Sequence, residues 1–162
     1  MLSLKEKIIP FEGIESFRLG NTLDEVRDLL KREKISFNQS IILNKGCTPE
    51  LPWALIEIFG SISMCFVENV LFEIVLENKY QGEIFNGIKL GMTMEEAIRI
   101  DPTIRYNEDD EDYISDNGYW LEIDAETDKI VSITVYVPEA DDSSVFFTYE
   151  WVNKYKDISN GN

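Results

Sequence analysis

One short pattern occurs twice in this chain, and nothing else constrains its fold as strongly. Phe17-Arg18-Leu19-Gly20-Asn21-Thr22-Leu23-Asp24-Glu25-Val26 recurs without gaps as Ile88-Lys89-Leu90-Gly91-Met92-Thr93-Met94-Glu95-Glu96-Ala97. Each copy reads apolar, basic, Leu, Gly, any residue, Thr, apolar, acidic, Glu, small apolar. Self-similarity of this kind marks a repeated structural unit. Each copy also reads as a helix start. Thr22 with Glu25, and Thr93 with Glu96, have capping-box spacing, in which the Thr hydroxyl accepts a first-turn amide and the Glu reaches back. Gly20 and Gly91 let the backbone turn sharply into each cap. The expectation is a single compact unit over residues 1–162, built of two repeats at about 11–80 and 82–155, with a frayed tail over 156–162.

The elements follow from periodicity. Leu23, Val26, Leu29 and Leu30 share one helical face, predicting a helix from about Thr22 to Lys34. Pro49 and Pro52 place Cys47 to Pro52 in a loop. Strands are predicted at Trp53–Phe59, Ile62–Val67 and Val70–Glu77, with turns at Gly60-Ser61 and Glu68-Asn69. Met94, Ala97 and Ile98 predict a shorter second helix, ending near Asp101-Pro102. Strands then follow at Tyr119–Asp124, Ile130–Val137 and Val145–Val152. The fold class is α+β: twice a short helix followed by an antiparallel meander, with the helices on one face of the sheet. Leu23, Val26, Leu29, Leu30, Phe72, Ile74, Leu121, Ile123, Ile133 and Val135 are the predicted core.

Charge narrows the partners. The 31 acidic residues against 15 basic give a net charge of −16. Such a field repels nucleic acid and anionic lipid and attracts a basic macromolecule; the alternative is a solubility device. The first ten residues carry no apolar segment followed by a small-residue cleavage site, and no run reaches membrane-spanning length, so a cytoplasmic protein is expected. Two cysteines are too few for a disulfide framework, and Cys47 and Cys65 read as packing residues.

The chain has no histidine, which removes His-based triads, the usual zinc sites and the commonest general base. Asp124 to Asp128 resembles the start of a calcium loop, but Lys129 stands where glycine is required and Val135 where the bidentate Glu belongs. Glu108 to Asp112 follows no ligand spacing. No catalytic residue, metal site or cofactor is expected, and the protein reads as a binder rather than an enzyme.

Alternation in the strands points to a surface. One set of positions is apolar, whereas Trp120, Glu122 and Asp124 oppose Leu121 and Ile123, and Tyr136 opposes Val135. Aromatic rings among carboxylates on a sheet face suggest docking, since they offer contact area at low entropic cost; the alternative is that a loop or the sister repeat covers them. The candidate partner-binding residues are Asp109, Asp110, Asp112, Tyr113, Tyr119, Trp120, Glu122 and Tyr136. Glu57, Glu73 and Glu77 are the second choice.

The motif carried by Ser16 to Val26 and Gly87 to Ala97 resembles the repeat of the β-lactamase inhibitory protein and of small outer-membrane lipoproteins that share its fold. Those relatives are exported, so an acidic, intracellular chain looks more like an immunity protein of a bacterial polymorphic toxin or contact-dependent growth inhibition system. The resemblance implies a stoichiometric complex with a cognate toxin domain, basic and nuclease-like, and carries over no site residue. The alternatives are an interaction or assembly module, including a homodimer through the open sheet face, and a small-ligand-binding protein.

Overall fold

A computed structural model describes residues 1–43 and 50–160. The chain is α+β with a mostly antiparallel sheet and little helix. A two-stranded ribbon, β1 (Ile8–Ile9) and β2 (Gly13–Ile14), precedes α1 (Leu23–Arg32) and the strands β3 (Phe37–Ile42), β4 (Trp53–Ile58), β5 (Ile62–Val67) and β6 (Val70–Glu77). Helix α2 (Met94–Ile100) is followed by β7 (Arg105–Asn107), β8 (Asp112–Ser115), β9 (Tyr119–Asp124) and β10 (Lys129–Tyr136). A 3-10 turn (Pro138–Asp141) then leads to α3 (Ser143–Phe146) and α4 (Val152–Asn160). Eight strands form one sheet in the order β3-β4-β5-β6-β10-β9-β8-β7, so two meanders meet along the antiparallel β6–β10 pair.

Both capping boxes form. Thr22 Oγ1 accepts from the Glu25 amide at 3.1 Å while the Glu25 carboxylate accepts from the Thr22 amide at 2.7 Å. Thr93 and Glu96 make the same pair of bonds at 3.3 and 2.9 Å. Gly20 and Gly91 hold φ of +92° and +84°, a region that an L side chain rarely adopts. Each turn is also tied to a strand. The Gly20 amide donates to Leu71 and Leu71 donates to Asn21; the Gly91 amide donates to Ile130 and Ile130 donates to Met92. The motif thus encodes a helix start and the site where that start docks on the sheet.

α1 and α2 lie on one face. Val26, Leu30, Met94 and Ala97 pack there with Met64, Phe66, Leu71, Ile74, Leu121, Ile133 and Val135. Leu23, Leu29 and Ile123 flank this cluster, partly buried. The expectation that all helices share this face is corrected by the C-terminus. Phe146 of α3 and Val152 of α4 pack with Cys65, Val67, Val70 and Phe72 on the other face. The predicted strand at Val145–Val152 is replaced by these helices, because Phe146, Tyr149 and Trp151 gather on the aromatic end of the sheet. Trp53 Nε1 donates to the Tyr149 hydroxyl at 3.1 Å, and Trp151 Nε1 to the Phe146 carbonyl at 2.8 Å. Of the tail expected over 156–162, residues 156–160 are part of α4 and the last two lie outside the described residues, while α1 is shorter at each end than expected.

Two β-bulges set which buried cluster the neighbouring residues join. In β6, Leu71 pairs with Phe66 and Glu73 with Cys65, leaving Phe72 as the extra residue. Phe72 therefore belongs to the C-terminal aromatic cluster and not to the core beneath α1. In β10, Ile130 pairs with Ile123 and Ser132 with Glu122, leaving Val131 as the extra residue, 43% exposed, while Ile130 takes its place in the core. The expectation for Cys47 to Pro49 lies outside the described residues.

Candidate partner-binding face

The sheet face opposite α1 and α2 divides in two. Its β4–β6 end is covered by the aromatic residues of α3 and α4. Its middle carries carboxylates, because β6 is paired with β10: Glu73 lies opposite Tyr136, Val75 opposite Thr134, and Glu77 opposite Ser132. One strand further, Trp120 lies opposite Thr134 and Glu122 opposite Ser132. On the other side, Glu73 neighbours Cys65 of β5, and Ser63 neighbours Glu57 of β4. Glu122 therefore shares one surface with the second-choice carboxylates Glu57, Glu73 and Glu77. Among the described residues, no ion pair involves Glu57, Glu73, Glu77, Asp110, Asp112 or Glu122.

Burial sets the chemistry of this surface. Glu73 is partly buried, and its carboxyl is pushed up to about 7, first by desolvation; the Cys65 thiol donates a hydrogen bond that opposes the shift and Glu122 adds to it. Burial, then the Glu73 charge, pushes the Cys65 thiol upward, which makes it a poor nucleophile. Asp112 is likewise raised, by burial and by Asp110 and Glu122, against a hydrogen bond from Asn107. All four buried side-chain polar atoms that lack a hydrogen-bond partner among the described residues, Asp112 Oδ1, Trp120 Nε1, Ser132 Oγ and the Tyr136 hydroxyl, lie on strands of this half. The Asp141 carboxylate stands beside the Tyr136 hydroxyl without closing a bond of ordinary geometry.

A cavity of about 300 Å³ opens where the two halves meet. Trp53, Phe72 and Trp120 form its sheet wall and Phe146 of α3 its far wall, with the Glu73 and Asp110 carboxylates at its lining.

No family model, curated protein or solved structure matches this chain.

The candidate residues separate by side. Trp120, Glu122 and Asp112 lie on the acidic face, and Asp110, in the turn between β7 and β8, reaches the cavity. Asp109 is exposed in the same turn, where its amide donates to Asn107 Oδ1 at 3.2 Å. Tyr136 is fully buried, stacked on Trp120 with centroids 4.2 Å apart, and so supports that ring rather than offering its own. Tyr113 and Tyr119 are not on this face. Tyr113 is paired with Leu121, on the α1/α2 side, and packs edge-on against Tyr106 at 5.2 Å. Tyr119 is 0% exposed, and its hydroxyl donates to Asp101.

Asp101 is the buried C-cap of α2 and also accepts from Ser115, Thr103 and Asn117. Burial raises its pKa, but these hydrogen bonds outweigh that and hold the carboxyl below its usual range. Every bond is internal, so this knot ties α2 to β8 and β9. The Asp124 carboxylate similarly accepts the Glu126 and Thr127 amides, closing its turn. Among the described residues, no group of three or more potential ligands converges on a metal position, and no helix is long and apolar enough to cross a membrane.

Proposed function

We propose that this chain is a cytoplasmic immunity protein that neutralises a basic, nuclease-like toxin domain by forming a stoichiometric complex through its acidic sheet face. The supporting observation is that Glu57, Glu73, Glu77, Glu122 and Asp112 share one sheet face with Trp120 and that none has an ion pair to any described Lys or Arg. Such a surface is complementary to the Lys/Arg groove with which a nuclease holds phosphates, and net charge of −16 accelerates the encounter. The same reading takes the chain as two tandem copies of a helix-and-meander unit, in line with the paired caps, the paired strand ties and a bulge directly after each tie. The resemblance to immunity proteins and to the inhibitory repeat fold belongs to this proposal.

Co-expression tests it. A toxin-like C-terminal domain, sought in the reading frame immediately upstream of this gene, is expressed alone and with this chain. Relief of growth arrest together with a one-to-one complex supports the reading; a toxin that remains active with this chain in excess contradicts it.

A second reading, an assembly module, is favoured by β3. This edge strand has no charged residue, and Ile41 and Leu43 beside it are 67% and 68% exposed, the profile of an unprotected edge. Concentration-dependent self-association in sedimentation would favour it.

A further inference from the structure

The cavity between the sheet and α3 has a composition that selects its occupant. Its walls are aromatic on both sides, with Trp53 and Phe72 in edge contact at 4.8 Å and Phe72 and Phe146 at 5.3 Å. Trp120 closes it beside β10, held by its stack on Tyr136. Among the described residues no lysine or arginine lines it, yet two carboxylates do, Glu73 from the strand and Asp110 from the turn. At about 300 Å³ it lies at the small end of the range for ligand sites, roughly 300–1,000 Å³, and suits one head group rather than a cofactor.

An apolar ligand would leave the two acids desolvated and unpaired, and an anion would be repelled by them. A cation satisfies both features, since aromatic faces attract cations and a desolvated cation–π contact is worth about 2 kcal/mol. We propose that this cavity is a socket for one arginine side chain of the basic protein partner, the guanidinium lying against the Trp120, Trp53 and Phe72 rings and pairing with the Glu73 carboxylate. This rests on the binding reading above and names the contact that anchors it. Arginine fits better than lysine because the guanidinium is planar, stacks on aromatic rings and is more weakly hydrated. The protein's field of charge brings the partner in, and the socket holds it.

The probe is a fluorescein-labelled octa-arginine peptide, titrated with the full chain and followed by anisotropy. Octa-lysine, octa-citrulline and tetramethylammonium chloride are run at matched ionic strength. Glu73→Gln removes the socket's charge and keeps its shape; Asp28→Asn removes one exposed charge from α1 on the far side of the sheet. The expected result is octa-arginine binding weakened about tenfold or more by Glu73→Gln and less than about twofold by Asp28→Asn, with octa-lysine weaker and octa-citrulline silent. Glu73→Gln relieves a buried acid, so loss of binding would not reflect loss of folding, and thermal unfolding of the same sample checks this. Equal weakening by both substitutions would overturn the socket while leaving the acidic-face reading standing. Absence of octa-arginine binding to the wild-type chain would also overturn the socket, while the co-expression result decides the broader reading separately. Binding of tetramethylammonium that depends on Glu73, with peptide binding indifferent to it, would overturn a protein side chain as occupant.

Discussion

Glu73→Gln is expected to stabilise the free protein. In the fold the Glu73 carboxyl sits at about 7 instead of its ordinary 4.5, because burial disfavours its charge and Glu122 stands nearby. Between those two values the folded state holds a proton that the unfolded chain has released. Stability therefore falls as pH rises through this window. The difference of about 2.5 units corresponds to about 3 kcal/mol of destabilisation once both states are ionised, above about pH 7. Glutamine keeps an acceptor for the Cys65 thiol and carries no charge, so it removes this penalty. Urea denaturation of both proteins from pH 4 to pH 8.5 measures it directly. The two should be nearly equal at pH 4, and the variant should lead by about 3 kcal/mol at pH 8.5, with unchanged denaturant slope. A constant gap across the range, or a variant that is less stable at pH 8.5, would refute the argument that Glu73 is held in a desolvated site unpaired with any described lysine or arginine.

The two caps make a matched pair: Thr22→Ala and Thr93→Ala should each cost on the order of 1 kcal/mol in chemical denaturation, by loss of the first-turn acceptor. Asp101→Asn should cost about 3 kcal/mol at neutral pH, because it leaves the Tyr119, Ser115 and Thr103 hydroxyls facing an amide. Its folded pKa is depressed, so the stabilisation by Asp101 is present above the unfolded value near 3.8 and fades as pH falls below it. An acid titration followed by circular dichroism should show the wild-type and variant curves converging there. Association with the neutralised partner, measured by stopped flow, should slow steeply between 50 and 500 mM salt, since exposed charges are screened over about 10 Å at 0.1 M.

Much of this fold was legible in local sequence. The capping boxes, the turns at Gly60-Ser61 and Glu68-Asn69, and the strands Ile62–Val67, Val70–Glu77 and Tyr119–Asp124 stand where propensity and alternation put them. The strand β3 escaped notice because Phe37 to Ile42 is an exposed edge with no alternation to betray it. Val145–Val152 misled because its apolar and aromatic residues have strand propensity; their packing against Trp53 and Phe72, distant in sequence, makes helices there instead. Alternation marks Phe72 as a core residue, which it is, but not which of the two clusters it joins, since a bulge resets the period and leaves no mark in composition. For the site, period two already separates Trp120 and Glu122 from Tyr119, and choosing Tyr119 as a surface anchor went against that pattern. The cavity was not legible, as it needs β6 beside β10 and α3 folded back across both.

On the proposed function, the acidic sheet face, and not charge in general, holds the partner. Its most direct test is the affinity of the neutralised partner, by surface plasmon resonance, for two variants that each lose two negative charges. At pH 8.5, where the Glu73 carboxyl is ionised, Glu73→Gln with Glu122→Gln alters the face; Asp28→Asn with Glu95→Gln alters exposed positions on α1 and α2. The expected result is a loss of roughly 2 kcal/mol or more in the first, chiefly through faster dissociation, and near wild-type affinity in the second. Equal losses, or a loss confined to the α1 and α2 variant, would contradict it.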